Sequence, residues 1–385
     1  AKYYSQIVHD YSSSSYHVKS LVQLGLLAYN NELSDSAMGL YKRVVEQYPG
    51  TSEAKNALTG IRNIYVDKGD VNSYFSYAGQ LGSFANISIA EKDSLTYIAA
   101  EKLYMEGNCS KSSTGFTSYL AEYPKGNFTL NASFYLADCQ LREGQNDKAL
   151  ENLIYVIQKP KNDFTEQALL SASRIYLSQN KFAEAYETYD LLEGLAEVKN
   201  NLLEARIGKL RAAFALERHN DVILAAAKVL SSDKLAEEQE REARFKMAKS
   251  HIALGQTSEA FDQFATVARA PKTLEGAESR YLMASILRQQ GKLDKAEAEI
   301  FSFAEVNTPH QYWLAKSFIL LADIYADKDD FFQAKATLQS VLDGYSNTTD
   351  GIIDEATNKL NELVKTEKDK QAASKSDTIE IKFKE

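Results

Sequence analysis

The chain has 385 residues, with 44 Lys plus Arg against 53 Asp plus Glu, a formal net charge of −9. At 44% hydrophobic and 25% charged residues it is too apolar to be a disordered chain. Its acidic balance argues against a general nucleic-acid binder, which needs surplus Lys and Arg. No apolar run approaches the ~18–20 residues of a membrane-spanning helix. Only 5 Pro and 18 Gly leave few helix breakers, so a mostly helical fold is expected.

The chain starts at Ala1, not at Met, and shows no signal-peptide pattern, which reads as a mature or trimmed form. Tyr4, Val8, Tyr11, Ser15 and Leu21 recur 37 residues later as Tyr41, Val45, Tyr48, Ser52 and Leu58. Residues 1–16 are therefore expected to be the second helix of a repeat whose first helix is missing, or else a short N-terminal cap. The parent protein is expected to continue upstream with further repeats.

Residues 17–347 follow the same beat as a series of helix-turn-helix units. Tyr29, Tyr48-Pro49 and Asn56-Ala57 return 75 residues on as Tyr104, Tyr123-Pro124 and Asn131-Ala132. Short polar turns punctuate the units at Lys68-Gly69-Asp70, Gln179-Asn180-Lys181, Leu254-Gly255-Gln256, Gln290-Gly291-Lys292 and Lys328-Asp329-Asp330. Gly at a helix end suits the left-handed backbone needed there.

Two columns set the register. The leading helix carries Gly25, Arg62, Ala100, Ala137, Ser173, Ala213, Ala248, Ala284 and Ala322. Twelve residues later the following helix carries Ala37, Tyr74, Ser112, Ala149, Ala185, Ala225, Ala260, Ala296 and Ala334. Apart from Arg62 and Tyr74 these are small, which lets antiparallel helices approach closely. Four residues further on the side chain is large, as in Tyr41, Phe116, Leu153, Tyr189, Val229, Phe264, Ile300 and Leu338, with Ala78 the exception. The prolines at 49, 124, 160, 271 and 309 fall where a unit's second helix should end, because proline cannot continue a helix.

The small residue of the first helix, the small residue after the turn, the aromatic four later and the closing proline together resemble the tetratricopeptide repeat (TPR) family. The resemblance implies an all-α fold: a right-handed α-solenoid of about nine helix-turn-helix repeats with a C-terminal capping helix. The spacing of 35–40 residues between second-column positions exceeds the family's usual 34. The stretch from Gln47 to Leu58 is similar to TPR proteins of the Gram-negative cell envelope. That likeness implies a periplasmic or outer-membrane-associated protein, with the cytoplasm left open and any membrane association made through the parent protein.

Residues 348–368 carry Ile352, Ile353, Ala356, Leu360, Leu363 and Val364 at helical spacing and are expected to form the cap. Residues 369–385 read as a polar tail. Within it, Thr378 through Glu385 alternates apolar and polar residues and could add a strand to a partner, although a disordered tail is the simpler expectation.

Chemistry is not evident. His9, His17, His219, His251 and His310 form no tight ligand pair, and His251 falls in a packing column. No phosphate loop or nucleophile elbow occurs. Cys109 and Cys139 cannot make a metal site by themselves; two inert, partly buried thiols are expected, with a disulfide as the alternative. No enzyme, cofactor or metal is expected.

A binding role is expected instead. The position after the first-column residue reads Leu26, Asn63, Glu101, Asp138, Arg174, Phe214, Lys249, Ser285 and Asp323. In a stack of helix pairs the first helices line the inner surface. Asn63, Glu101, Asp138, Arg174, Lys249 and Asp323, with Tyr104 and Tyr135 as aromatic anchors, are therefore the candidate partner-binding residues, set against a plain solvated groove wall. The carboxylate clamp of TPR co-chaperones is not expected, since no Lys stands three residues before the first column. The expected function is a non-enzymatic scaffold for protein or peptide partners in a cell-envelope complex. The alternative is an accessory domain of a larger protein whose catalytic or DNA-binding module lies upstream.

Overall fold

The computed structural model describes the backbone of residues 1–382 and the side chains of residues 1–370. The described residues form twenty α-helices and one short 3-10 turn, with no strand. Residues Ala1–Ile175 and Tyr176–Glu385 make two compact units.

The first unit opens with α1 (Lys2–Asp10), which buries no side chain. Three complete hairpins follow: α2 (His17–Asn30) with α3 (Ser34–Gln47), α4 (Ser52–Asp67) with α5 (Val71–Gln80), and α6 (Ile89–Met105) with α7 (Cys109–Glu122). A fourth pairs α8 (Thr129–Arg142) with α9 (Asn146–Ile157). The helix α10 (Thr165–Ser178) leads, across the unit boundary at Ile175, to α11 (Phe182–Leu195).

The second unit continues with α12 (Lys199–Ala215) and α13 (His219–Leu230), α14 (Glu237–Ala253) and α15 (Thr257–Val267), α16 (Leu274–Gln289) and α17 (Leu293–Ala304), and α18 (Gln311–Asp327) and α19 (Phe331–Gly344). It closes with α20 (Ile352–Lys382). Within each unit a first helix packs against its own partner and also against the next first helix, as in α2·α4, α4·α6 and α6·α8, or α12·α14, α14·α16, α16·α18 and α18·α20.

All nine hairpin turns are built alike. Each has one residue at positive φ: Glu32, Gly69, Gly107, Gly144, Asn180, Glu217, Gly255, Gly291 and Asp329. The amide after it donates back to a carbonyl five residues earlier, as in Asp70 to Tyr65 at 2.9 Å and Gln256 to His251 at 2.8 Å. This is the bonding of a Schellman cap, which satisfies the last carbonyls of the first helix. Glycine holds the position in five turns at no steric cost, and Asn, Asp or Glu accepts it in the others. Side-chain caps start several helices, for example Thr51 accepting from the Ala54 amide at 3.1 Å and Ser88 from the Glu91 amide at 3.1 Å. The prolines at 49, 124, 160, 271 and 309 all lie in the loops between hairpins.

The turns correct the register of the sixth hairpin. Counting back from Glu217 places Leu210, not Ala213, in the first column and Val222, not Ala225, in the second. The Ala212-Ala213 and Ala225-Ala226-Ala227 runs had offered small residues nearly one helical turn too late. Packing agrees. Gly60 stands two residues before Arg62, and a Cβ there would lie 2.4 Å from the Tyr41 ring. Gly208 stands two before Leu210, and a Cβ there would lie 2.3 Å from the Tyr189 ring. Both glycines are flat seats for the large aromatic of the preceding second helix. With this correction the second-column spacing is 36–38 residues throughout.

The second column is buried in every hairpin, including Ala37, Ala149, Ala185, Ala260, Ala296 and Ala334 at 0% exposure. Phe116, Phe264 and Leu338 fill the space beyond it, each fully buried and each contributing about 1.5–3 kcal/mol of apolar burial. The departures are absorbed locally. Tyr74 is buried against Tyr65, and Arg62 reaches Glu91 at 3.8 Å.

Two further expectations change. Cys109 and Cys139 are joined in a disulfide, with Cα atoms 5.1 Å apart. The first turn of α7 lies beside α8, so residues 30 apart in sequence meet across a helix interface. The last helix also runs past residue 368 to Lys382. The expected polar tail is thus helical as far as it is described, and Phe383, Lys384 and Glu385 lie outside the described residues.

Candidate partner-binding surface

The column after the first-column residue has two structural fates. In the second unit it ties successive first helices together. Arg211, which takes the place expected for Phe214, forms a forked pair with Glu242 at 2.9 and 2.7 Å. Lys249 reaches Glu278 at 2.8 Å. In both cases the partner stands six residues before the next first-column residue, so the same rung repeats. Asp323 binds Lys359 on α20 at 2.6 and 2.7 Å and Arg288 on α16 at 3.3 Å. Burial opposes ionisation of Glu242, yet the Arg211 fork and Lys246 together hold its pKa below the usual carboxylate value. Lys249 and Asp323 are therefore committed to helix–helix rungs, and such pairs fix spacing more than they add stability.

In the first unit the same column meets aromatic rings. Glu101 accepts from the Tyr97 hydroxyl at 2.6 Å, and Asp138 accepts from the Tyr104 hydroxyl at 2.8 Å. Arg142 pairs with Asp138 at 2.6 Å and lies 5.5 Å from the centre of the Tyr104 ring. Tyr104 and Tyr135 stack with centroids 4.5 Å apart, and Phe134 stacks on Phe164 at 4.5 Å. Tyr97 is buried, whereas Tyr104, Phe134, Tyr135 and Phe164 are half-buried. Burial, aided by the bond to Asp138, pushes the Tyr104 pKa up to about 12. It therefore remains a neutral donor at physiological pH.

The structure thus brings Glu101, Tyr104, Tyr135 and Asp138 together on α6 and α8. Asn63 and Arg174 are exposed on α4 and α10. Sequence reasoning missed Phe134, Arg142 and Phe164. Phe134 had a signal, since it falls in the position three before the first column, where Tyr97 also falls. Phe164 precedes α10 and is placed by loop geometry, which no periodicity reports.

Beneath this surface lies a buried polar anchor. Asp93 is 5% exposed and accepts from the Tyr119 hydroxyl at 2.6 Å and the Asn127 amide at 3.1 Å. The Tyr119 oxygen in turn accepts from the Phe128 amide at 3.0 Å. A buried carboxylate without such partners would be strongly destabilising. Phe128 stacks on Tyr97 at 4.4 Å, so the network sets the rings above it.

Among the described residues no group of three or more His, Cys, Asp or Glu could hold a metal ion. No described helix is long and apolar enough to cross a membrane.

Residues 19–51 and 245–311 each match the tetratricopeptide repeat family. No curated protein matches the chain. Among solved structures, a tetratricopeptide repeat protein from Parabacteroides merdae is 15% identical, with 69% of this chain and 99% of that one covered and a TM-score of 0.35. The C-terminal part of a TPR repeat-containing protein from Cytophaga hutchinsonii is 13% identical, with 67% and 98% covered and a TM-score of 0.47. Yeast Tom70 is 11% identical, with 91% and 96% covered and a TM-score of 0.38. The two matched stretches, one in each unit, are tetratricopeptide repeats, and they lie on hairpins that share turn bonding and column register with the rest.

Proposed function

We propose that this protein is a non-enzymatic scaffold that holds segments of partner proteins against the first helices of its first unit, within a cell-envelope complex. Stacked helix pairs generally serve protein–protein interaction, because they expose long modular faces. The observation that carries the reading is the half-buried aromatic row of Tyr104, Tyr135, Phe134 and Phe164 with Asp138 and Arg142 at its edge. Rigid aromatics beside a charged fork are the composition of an interface anchor. The expected residues of the second unit contribute less, since Lys249 and Asp323 are engaged in rungs.

The disulfide supports the placement. Structural disulfides persist in oxidising compartments such as the periplasm and are rare in the reducing cytosol. Alkylation of thiols during lysis should find Cys109 and Cys139 oxidised in the envelope fraction; a fully reduced pool in the cytosolic fraction would sink that part of the reading.

The binding part is tested with the full chain as bait. A partner identified by mass spectrometry should bind about tenfold or more weakly to Tyr104→Ala and Arg142→Ala, and equally well to Lys249→Ala. Binding that ignores both changes in the first unit would move the interface elsewhere.

A further inference from the structure

Asp67, Glu101 and Asp138 stand on the successive first helices α4, α6 and α8, and they differ in one respect. Asp67 pairs with Lys102 and Asp138 pairs with Arg142. Glu101 pairs with no Lys or Arg among the described residues. Lys102, its neighbour in the chain, and Arg142, one turn beyond Asp138, are both committed elsewhere. One Glu101 oxygen, Oε1, accepts from the Tyr97 hydroxyl at 2.6 Å; the other has no hydrogen-bond partner among the described residues. The rungs of the second unit say what is missing. There the residue after the first column meets an opposite charge six positions before the next first-column residue, as in Arg211 with Glu242 and Lys249 with Glu278. The same offset from Ala137 falls on Asn131, which is neutral and sits beside the Tyr97 hydroxyl. At this rung the protein supplies the acid and no base.

The surroundings of Glu101 are apolar. On α6 it lies three residues after Ile98 and four before Met105, on one stripe of the helix, and these two are 41% and 65% exposed. Burial, and after it the charge of Glu101, raises the pKa of the Tyr135 hydroxyl, so the Tyr104–Tyr135 stack stands within electrostatic reach of the carboxylate. Glu101 is itself half-buried. A carboxylate in such a setting holds an incoming cation more strongly than one in open water, and ring faces nearby add to the attraction. An acidic group brought here would meet like charge, and a neutral amide would leave the charge unanswered.

We propose that the segment bound on the first unit carries a Lys or Arg that pairs with Glu101, with apolar residues within about two positions of it covering Ile98 and Met105. The spacing is geometric. Three to four helical residues span about 4.5–6 Å, which about two residues of an extended chain also cover. The pairing presupposes the binding surface proposed above and specifies the chemistry of its occupant.

A phage-displayed library of random dodecapeptides, selected on the full chain and counter-selected on Tyr104→Ala, reads both. Selected peptides should share a Lys or Arg with an apolar residue within two positions. A synthetic peptide of that sequence should lose about tenfold or more in affinity when the base is replaced by norleucine or citrulline. On Glu101→Gln, which keeps an acceptor for Tyr97, the same replacement should change affinity by less than about twofold, because the cycle isolates the pair. Peptides that depend on Tyr104 but share no base, or a base whose removal costs as much on Glu101→Gln as on the parent chain, would overturn the pairing and leave the aromatic surface standing. A selection that yields no peptide sensitive to Tyr104→Ala would overturn both.

Discussion

The two units use one hairpin design and hold it together with different chemistry. Between Ala1 and Ile175 the interfaces above the small columns are filled by rings, as in the contacts of Tyr97 with Phe128 and Tyr104 with Tyr135, and are stapled by the Cys109–Cys139 disulfide. Between Tyr176 and Glu385 ion pairs take a larger share of this work, beside ring contacts such as Phe245 with Phe264 and Tyr281 with Trp313, whereas the first unit has fewer such rungs, Lys102 with Asp67 among them. Glu193 lies between Lys209, Lys228 and Arg206, and the rungs from Arg211, Lys249 and Asp323 continue along the first helices. The comparison teaches that the small columns set the architecture, while the space around them can be filled by either apolar or charged pairs. It also supports the proposed binding surface, because rings left half-buried can accept a partner, whereas charges already paired cannot do so without losing a rung.

Deleting a ring from the first unit should have the largest effect. Tyr119→Ala removes a fully buried side chain and leaves buried Asp93 with only the Asn127 amide of its two hydrogen bonds, and should cost about 3–5 kcal/mol in urea denaturation. The loss should appear in the melting of the first unit; an equal loss in both would dissolve the distinction between them. Reduction comes next. Breaking the disulfide frees a loop of 30 residues and should cost about 3–4 kcal/mol by the chain-entropy estimate, again confined to the first unit and read by denaturation with and without dithiothreitol.

Acid should act on the other side, and more weakly. The pKa of Glu193 is depressed although burial opposes its ionisation, because Lys228 and Lys209 more than compensate, and Glu242 is likewise depressed. A carboxylate with a lowered folded pKa contributes stability that is present above its unfolded value of about 4.5 and is lost as pH falls through the folded value. Lowering pH from 5 through 4 and below should therefore destabilise the second unit by about 1 kcal/mol for each of these two groups, with the Glu242→Gln variant showing a shallower pH dependence. A first unit that melted earlier than the second on acidification would invert the comparison.

Much of this architecture was legible in the sequence, because helix pairing depends on side-chain size at fixed intervals, which a linear pattern displays. Ala37, Ala149 and Ala334 stand where the periodicity put them. The sixth hairpin was misread because its columns hold Leu210 and Val222 while alanines nearby imitate the pattern; only the left-handed turn at Glu217 reveals the register. The disulfide stood second to free thiols for a different reason. Whether Cys109 and Cys139 meet depends on how one repeat's second helix faces the next repeat's first, which periodicity does not encode. The candidate site was legible in part. Tyr104, Tyr135, Glu101 and Asp138 come together, but nothing in a single column told that Lys249 and Asp323 have partners waiting on the adjacent helix.

The central claim is that second-column positions are closed to bulk while positions two residues away are open. Ala183 and Ala185 lie on the same turn of α11; Ala183 is exposed and Ala185 is fully buried. Urea denaturation of Ala185→Trp should show a loss of about 1–3 kcal/mol or more, whereas Ala183→Trp should stay within about 0.5 kcal/mol of the parent chain. Equal stabilities for the two variants, or a greater loss at Ala183, would contradict the register on which the hairpins and the proposed surface depend.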